Sequence, residues 1–273
     1  MATHNQVRLV GFLKVDPILR NVDVAGEEQA IFSMCVIHRP IENYHNVALI
    51  DVLVLCTEAK LVHRMKKLKQ FDLIELKGFY NISTGSLAYR CRECGAVNRL
   101  EGKTRCYVYP IWFNKIDSLK QAQGHEENLP EKILKEHFQE VSNEAFIIGN
   151  VVDEPEVLST GKNPCCRYQV AIERKYHVRS QSDIRTDFPY IYSYGKQALS
   201  DMIYLKQGAL IMADCFIRNR SVKMKTMCTN CEHETTYQNV ASELVPYSVE
   251  YLRGHYTPEE AEKRRQERGL DVG

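Results

Sequence analysis

The chain repeats itself, and this repeat limits which folds it can adopt. The opening run VRLVGFLKVDPILRN resembles AFIIGNVVDEPEVLS, with Gly11 matching Gly149 and Pro17 matching Pro155, each pair 138 residues apart. Matching runs held in register over so long a span indicate a duplicated structural unit. The sequence therefore predicts two tandem domains of one fold rather than a single large domain.

Each copy also contains one C-x-x-C motif. In the first copy it is Cys91 and Cys94 in YRCRECGAVNR, and in the second it is Cys228 and Cys231 in MCTNCEHE, 137 residues further on. The two motifs therefore occupy the same place in the two copies, which extends the duplication over most of the chain.

Both copies show the same order of elements. In the second copy, apolar runs typical of strands cover 144–152, 166–177 and 187–194, and the helical stretch KQALSDMIYLKQG follows. The long run ALIMADCFIRNRSVKMK, the C-x-x-C motif and SELVPYSVEYL complete the copy. Five strands with one helix between the third and the fourth are typical of an OB-type barrel. We predict a mainly β fold of two tandem OB-fold barrels, each with a short helix and a C-x-x-C hairpin insertion.

Two further helices are predicted outside the barrels. Between the copies, PEKILKEHFQEV carries apolar residues at helical spacing. Near the C-terminus, Thr257, Pro258 and Glu260 have the spacing of an N-cap, a first-turn proline and a capping-box acid. The predicted segments are a first barrel over 1–120, a linker helix over 121–143, a second barrel over 144–253 and a charged helix or tail over 254–273.

The composition is that of an ordinary globular protein. Of the 273 residues, 44% are hydrophobic and 26% are charged, and no apolar run reaches the roughly 20 residues of a membrane span. The start MATHNQVRLVGF has no signal-peptide pattern, so the expected location is the cytoplasm. Thiols stay reduced there, and the ten cysteines are not expected to form a disulfide framework.

The sequence carries no motif of a common enzyme class. It contains no Walker loop, no H-E-x-x-H and no G-x-S-x-G, and neither C-x-x-C follows a proline as in zinc deaminases. The nine histidines are scattered and form no evident pair with a cysteine or a carboxylate. We therefore expect a binding protein and not an enzyme.

The charge of the chain is nearly neutral but unevenly distributed. The net charge is +1, yet residues 165–225 hold eleven Lys and Arg against five Asp and Glu, a local net charge of +6. A local basic field on a neutral protein favours a face that binds a polyanion. The second copy is thus the predicted site of nucleic-acid binding.

A short aromatic strand lies inside this basic segment. In TDFPYIYSY, four aromatic residues occur at period two, so they should point to one side of a strand: Phe188, Tyr190, Tyr192 and Tyr194. The alternate residues Pro189, Ile191 and Ser193 should face the barrel interior. Exposed rings beside cations are what binding of single strands requires, since bases stack on the rings and cations follow the phosphates. Packing of the rings against a neighbouring domain is the alternative.

Three stretches of the second copy resemble bacterial and phage single-stranded DNA-binding proteins. FIIGNVVDEPEV matches the I-G-N…P-E first strand of that family, and YQVAIERKY matches its A-x-x-R second strand. TDFPYIYSYGKQALSDMIYLKQGALIMADCFIRNR matches its third strand with G-K, the L-x-K-G turn and a fourth strand ending in R-x-R. The resemblance covers nearly all of the second copy and, more loosely, the first.

The resemblance implies roles for individual residues. Phe188 and Tyr194 lie where the family stacks bases on its third strand, and Tyr176 corresponds to another stacking aromatic. The chain departs from the family at Val222, where an aromatic residue is expected, and in its ending EEAEKRRQERGLDVG, which is no acidic tail with an apolar tip. The complete set of expected nucleic-acid contacts is Arg174, Lys175, Tyr176, Phe188, Tyr190, Tyr192, Tyr194, Lys196, Arg218, Arg220, Lys223 and Lys225.

The first copy lacks the aromatic strand. We expect aliphatic or thiol side chains at the positions of the four aromatics, namely Ile50, Val52, Val54 and Cys56. Such side chains stack poorly on bases, and an exposed aliphatic row is costly, so this face should be covered by the other barrel or by a second chain. The first barrel is therefore predicted to be chiefly structural.

Together the two C-x-x-C motifs can form one zinc site. Four thiolates fill the zinc tetrahedron and leave no position for water, which makes such a site structural. The expected ligands of one zinc per chain are Cys91, Cys94, Cys228 and Cys231. Two alternatives remain: separate sites closed by Cys106 in the first copy and His233 in the second, or no metal at all.

The predicted function is sequence-independent binding of single-stranded DNA in replication, recombination or repair. A protein-interaction module resembling a primosome accessory factor and an RNA-binding protein are the alternatives. The resembling family works with four barrels, so a chain with two barrels is expected to form a homodimer. Replication or recombination proteins are further expected partners, and no membrane is expected.

Overall fold

The computed structural model of the protein describes residues 3–38, 47–118, 128–181 and 183–269. Parts of the predicted linker (121–127) and of the predicted tail (270–273) lie outside these residues.

The first copy contains β1 (His4–Leu13), β2 (Ile18–Arg20), β3 (Gln29–His38), β4 (Ala48–Cys56), α1 (Ala59–Met65), β5 (Asp72–Arg90) and β6 (Val97–Ser118). The helix α2 (Leu129–His137) follows. The second copy contains β7 (Asn143–Val151), β8 (Glu156–Ser159), β9 (Cys165–Glu173), β10 (Thr186–Asp187), β11 (Tyr190–Tyr194), α3 (Gly195–Tyr204), β12 (Leu210–Met227) and β13 (Glu234–Arg253), before α4 (Pro258–Arg268).

Strand pairing closes each copy into a barrel of five strands. In the first copy, β1 pairs with β3, β3 with β4, β4 with β6, β6 with β5 and β5 again with β1. The second copy closes in the same way through β7, β9, β11, β13 and β12. In each barrel one contact is parallel, Val54 with Val108 and Ile191 with Leu244. This closed order, with one helix after the third barrel strand, confirms the predicted OB-type fold.

An antiparallel ladder between β1 and β7 joins the two barrels. The ladder runs from His4 opposite Ile148 to Leu9 opposite Asn143. It satisfies the backbone groups on the free edge of both strands and makes one continuous sheet in the order β6-β5-β1-β7-β12-β13. Buried apolar side chains of both barrels then form one hydrophobic cluster.

The glycines matched in the repeat lie where a strand crosses another at close range. A Cβ on Gly11 would lie 2.2 Å from the carbonyl oxygen of Cys35, and a Cβ on Gly149 would lie 2.7 Å from Cγ1 of Val170. Neither distance is compatible with a side chain, because packed interiors leave no room for an extra carbon. The repeated glycine therefore reflects the close approach of β3 to β1 in the first barrel and of β9 to β7 in the second.

Helices α2 and α4 lie outside the barrels. α2 sits over the first barrel, where Leu134 is fully buried in a cluster with Val10 and Phe12. α4 begins with the predicted capping box, since the Glu260 amide donates to the Thr257 hydroxyl at 3.3 Å and the Thr257 amide donates to the Glu260 carboxylate at 2.8 Å. In the described part of the chain, no helix combines the length and the apolar character needed to cross a membrane.

Candidate nucleic-acid interface and cysteine cluster

The aromatic strand presents its rings on the outer surface of the second barrel. Pairing of β11 with β9 and β13 turns the alternate residues inward, and these are buried: Pro189, Ile191 and Ser193. On the outer side, Phe188 and Tyr190 are 43% and 40% exposed, while Tyr192 and Tyr194 are half-buried. The strand predicted over 187–194 is interrupted, because β10 ends at Asp187 and β11 begins only at Tyr190. Two rings are therefore exposed to solvent, and two half-buried rings follow them on the same side of the strand.

Tyr194 belongs to a compact charged group. Its hydroxyl donates to the Glu243 carboxylate at 3.2 Å, and the Arg218 guanidinium lies 4.1 Å from the centre of its ring. Glu243 is 1% exposed and is held by Arg218 at 2.7 Å and by Arg220 at 2.6 Å. Two guanidinium groups and one carboxylate leave a net positive charge in this group. The pairing also offsets the cost of burying the acid. Arg220, with half of its side chain exposed, is the member that faces solvent.

The structure contradicts the expected nucleic-acid contact of Arg174. Only 4% of its side chain is exposed, and its guanidinium donates to the Asp187 carboxylate and to the amide oxygen of Asn81 in the first barrel. A paired and buried guanidinium cannot reach a phosphate without breaking this network. Arg174 therefore holds the two barrels together.

Next along the chain, the segment after β9 lies on the first barrel. The ring of Tyr176 stacks on that of Phe79, with centroids 5.6 Å apart and planes 11° from parallel, and Tyr176 remains 42% exposed. Val178 is buried in a cluster with Phe79, Tyr107 and Tyr109 of the first barrel. One face of Tyr176 is thus occupied by the first barrel, and this segment covers part of the outer surface of that barrel.

The remaining expected cations lie on the surface. Lys175 and Lys196 are exposed near the ends of the aromatic strand, and Lys223 and Lys225 are exposed on the long hairpin of β12 and β13. Lys225 is paired with Glu234 at 2.9 Å, with both side chains mostly exposed. An exposed pair of this kind is weak, so it does not prevent a phosphate contact.

The predicted register of β4 is wrong by one residue. Val52, Val54 and Cys56 point into the core of the first barrel and are at most 2% exposed, instead of lying on the outer face. The parallel contacts make Val54 equivalent to Ile191. The outward positions that correspond to Phe188, Tyr190 and Tyr192 are therefore Asp51, Leu53 and Leu55.

Ile50, the fourth residue assigned to that row, packs against the core of the first barrel as well. Leu53 and Leu55 pack against the cluster of Phe79, Tyr107, Tyr109 and Val178. The outer face of β4 is thus covered in part by the second barrel, through the segment that contains Val178.

A groove of about 770 Å³ separates the two outer faces. Tyr190 and Tyr192 line it from the second barrel, and Asp51 and Leu53 line it from the first. Three cations that sequence reasoning missed also border it: Lys103, Arg105 and Arg167. Arg167 lay within the basic segment and could have been found there, whereas nothing in the sequence placed the first-copy residues Lys103 and Arg105 opposite the aromatic strand.

The four predicted cysteine ligands come together at the tips of the two long hairpins. Their Sγ atoms all lie within 4.8 Å of one another, with Cys91 3.7 Å from Cys231 and Cys94 3.6 Å from Cys228. A zinc–sulfur distance of about 2.3 Å gives a tetrahedron with edges of about 3.8 Å. The cluster therefore has the donors and the dimensions of a tetrahedral metal site that is shared by the two copies.

Backbone and side-chain donors favour the thiolate form of Cys228, whereas the neighbouring cysteine side chains raise the pKa of the Cys231 thiol to about 12. The amides of Asn230 and Cys231 lower the pKa of the Cys228 thiol to about 6. The Asn98 side-chain amide donates to the Cys228 sulfur at 3.4 Å, while its oxygen accepts from the Thr229 amide at 2.9 Å. Asn98 is 4% exposed and bridges the two hairpins. Sequence reasoning missed Asn98, because no motif marks a residue that contacts a metal ligand across a hairpin pair.

Neither alternative ligand belongs to this cluster. Among the described residues, the group that could hold a metal contains the four C-x-x-C cysteines, without Cys106 or His233. Cys106 lies on β6 at the groove, and His233 is exposed, with its ring 3.8 Å from the Glu93 carboxylate. The arrangement therefore matches one shared site rather than two separate ones.

Two OB barrels, one of which has an aromatic and basic outer face, define a class of nucleic-acid-binding proteins. The model of the single-strand binding protein family matches residues 142–243, which include most of the second barrel. The resemblance predicted from the sequence is thus confirmed. No curated protein sequence matches the chain.

Solved structures with the same fold include the single-stranded DNA-binding protein from Thermus aquaticus. Its wild-type structure has a TM-score of 0.60 at 14% identity, and the alignment covers 93% of this chain and 96% of that one. A deletion variant of that protein has a TM-score of 0.56 at 14% identity, covering 94% and 98%. The likeness in fold extends over both barrels of this chain.

Proposed function

We propose that the protein binds single-stranded DNA without reading its sequence, and that it protects exposed strands during replication, recombination or repair. The observation that carries this proposal is the exposed aromatic row on β11, which lies beside cations in the part of the chain that the single-strand binding family matches. Flat rings offer a surface to any base, and Lys or Arg neutralises the phosphates. This role is binding and needs no catalytic group.

In the proposed complex, Phe188, Tyr190 and Tyr192 stack bases. Tyr194 and the exposed face of Tyr176 extend this surface at its two ends. The cations assigned to phosphates are Lys175, Lys196, Arg220, Lys223 and Lys225, with Arg218 acting mainly through Tyr194 and Glu243. The support is the exposure of these groups and the position of β11 between β9 and β13.

The cysteine cluster is proposed to hold one structural zinc per chain. Zinc favours thiolates, and four sulfurs complete its tetrahedron, so the ion would clamp the two hairpins and take no part in chemistry. The support is the separation of the sulfurs and their origin in both copies. Reduced thiols at this place are consistent with a cytoplasmic protein.

Further partners are proposed by analogy with the four-barrel arrangement of the resembling family. Two copies of this chain would supply four barrels, so a homodimer is expected. Contacts with replication or recombination proteins would follow from the function.

The test is a titration of a fluorescent oligothymidylate with the full chain at two salt concentrations, read by anisotropy. We expect tight binding that weakens with salt, similar binding to other single-stranded sequences and much weaker binding to duplex DNA. The variant carrying Phe188→Ala and Tyr190→Ala should bind at least about 10-fold more weakly, since each lost stack costs about 1–3 kcal/mol. Phe146→Ala removes a partly exposed ring on another face of the same barrel and is the matched control.

Two results would reject this function. Wild-type protein that binds no oligonucleotide would favour the protein-interaction module, and a strong preference for RNA of the same sequence would favour the RNA-binding alternative.

A further inference from the structure

The groove between the two barrels extends the proposed binding surface. We propose that a bound strand continues from the aromatic row through this groove onto the first barrel, where Lys103 and Arg105 contact its phosphates. This inference rests on the proposed function and extends it to a barrel that is otherwise structural.

The groove is continuous with the aromatic row. Tyr190 and Tyr192 belong both to the outer face of β11 and to the lining of the groove. On the opposite side lies Leu53, the first-barrel equivalent of Tyr190. Because the equivalent faces of the two barrels meet in one groove, a strand that lies on one of them runs directly toward the other.

The charge of the groove suits a polyanion. Its lining contains Lys103, Arg105 and Arg167 against the single carboxylate of Asp51. Asp51 is paired with Lys14 at 3.0 Å and Arg167 with Glu156 at 2.7 Å, which leaves Lys103 and Arg105 as the source of net positive charge. A concave surface lined mainly by one sign of charge concentrates the opposite charge, so the groove attracts phosphates.

The two cations on β6 have no counterpart in the second copy. The groove residues from the equivalent strand β13 are Asn239, Val240, Ala241 and Ser242, none of which is charged. Lys103 and Arg105 therefore contribute a charge to the groove that comes from the first barrel, across from the aromatic row. The Arg105 guanidinium donates to the carbonyl oxygen of Ser86, which keeps its side chain beside the hairpin.

The walls of the groove are fixed by contacts between the barrels. The Tyr80 hydroxyl donates to the carbonyl oxygen of Ser242 at 2.9 Å, and the Asn219 side chain donates to the carbonyl oxygen of Asp51 at 2.7 Å. A volume of about 770 Å³ lies within the usual range of ligand sites, about 300–1,000 Å³. The groove is therefore a formed site with room for part of a strand.

The test compares oligothymidylates of about 8 and about 30 nucleotides, because one OB fold covers about 4–16 nucleotides. The full chain with Lys103→Ala and Arg105→Ala should bind the short oligonucleotide within about twofold of wild type. It should bind the long one about 10-fold more weakly, and the slope of log affinity against log salt should fall by about 1.4, since each phosphate contact on a single strand contributes about 0.7. Lys103→Arg with Arg105→Lys should restore the long-strand affinity.

The control is Lys60→Ala with Lys67→Ala, which removes the same charge from the first barrel away from the groove, in and just after α1. It should leave both affinities and the salt slope unchanged. If the Lys103→Ala and Arg105→Ala variant binds the long strand as tightly as wild type, the proposed path of the strand through the groove is wrong, while the proposed function is unaffected. Absence of binding by wild type to either length would instead reject the proposed function itself.

Discussion

The outer faces of β11 and β4 are equivalent surfaces of two barrels with the same fold, yet one is exposed and the other is covered in part. Just before and on β11 the outward residues are aromatic, and Phe188 and Tyr190 are exposed, whereas on β4 Leu53 and Leu55 pack against the cluster that contains Val178. The covering segment comes from the second barrel itself. The two copies therefore have different tasks. The second barrel keeps an exposed aromatic face, and the first barrel uses the equivalent face to pack against the second.

The prediction with the largest expected effect concerns the cysteine cluster, to which each copy supplies two residues. Cys94→Ser in the first hairpin and Cys228→Ser in the second should each abolish the same single zinc, because each removes one of four ligands. Loss of the clamp should lower the free energy of unfolding by on the order of 5 kcal/mol. Zinc content by mass spectrometry and urea unfolding check this prediction, and two zinc ions lost independently would show that each hairpin has its own site.

A matched pair of substitutions tests the division between open and covered faces. Tyr192→Ala should weaken single-strand binding by about 1–3 kcal/mol through the lost stack, with little effect on stability. Leu55→Ala, at the equivalent position, should lower the free energy of unfolding by about 1–2 kcal/mol through lost packing and leave the affinity unchanged. Anisotropy titrations and urea unfolding of both variants are the measurements. The assignment fails if the Leu55 variant loses affinity and the Tyr192 variant does not.

The helices of the two barrels differ in one buried charge, which predicts a pH effect. Asp201 on α3 is fully buried, and burial raises its pKa to about 6, although donors such as Ser193 and Tyr251 oppose this shift. Residue 64, the equivalent position on α1 at an offset of 137, is an exposed arginine. A carboxyl whose pKa is higher in the folded chain stabilises the fold at low pH, and this contribution is lost as the pH rises from about 4 to about 6.

The expected size of this effect is up to about 3 kcal/mol, at 1.36 kcal/mol for each pKa unit. Urea unfolding at pH 4, 5, 6 and 7 should therefore show a fall in the free energy of unfolding that is absent or smaller in Asp201→Asn. Parallel pH profiles for the two proteins would contradict the prediction.

The smallest expected effect lies in the turns of the two C-x-x-C motifs. Gly95 has φ +71°, and Glu232, at the equivalent place in the second motif, has φ +56°. Left-handed backbone is costly for a residue with a side chain, so Glu232→Gly should raise the thermal midpoint slightly, for a gain of about 0.5–1 kcal/mol. Gly95→Glu is the reciprocal variant and should lower it by a similar amount.

The sequence predicted the fold, the clustering of the cysteines and the outward aromatic row, because each has a local signal. The period-two aromatics are a local pattern, and the repeats that contain Gly11 and Gly149 and the two C-x-x-C motifs are found by comparing short stretches of the sequence with one another. The register of β4 could not be read in this way. ALIDVLVLC is apolar at nearly every position, so alternation does not mark its buried side.

Other errors concern contacts between residues far apart in the chain. Arg174 was predicted to be a free cation, because its partner Asn81 is 93 residues away in the chain and belongs to the other barrel. Lys103 and Arg105 seemed unrelated to the aromatic strand until the β1–β7 ladder placed the barrels side by side. Pairings of this kind depend on the tertiary arrangement, and no local pattern reports them.

The unequal faces of the two barrels also give the molecule a direction. A symmetric pair of identical barrels offers two equivalent tracks related by a twofold axis, so neither polarity of a nucleic-acid strand is distinguished over the pair. Here the rings lie on one barrel and Lys103 and Arg105 on the other. A strand that crosses both barrels of one chain, as proposed, meets the rings on one side and the cations of β6 on the other, so its two polarities are not equivalent.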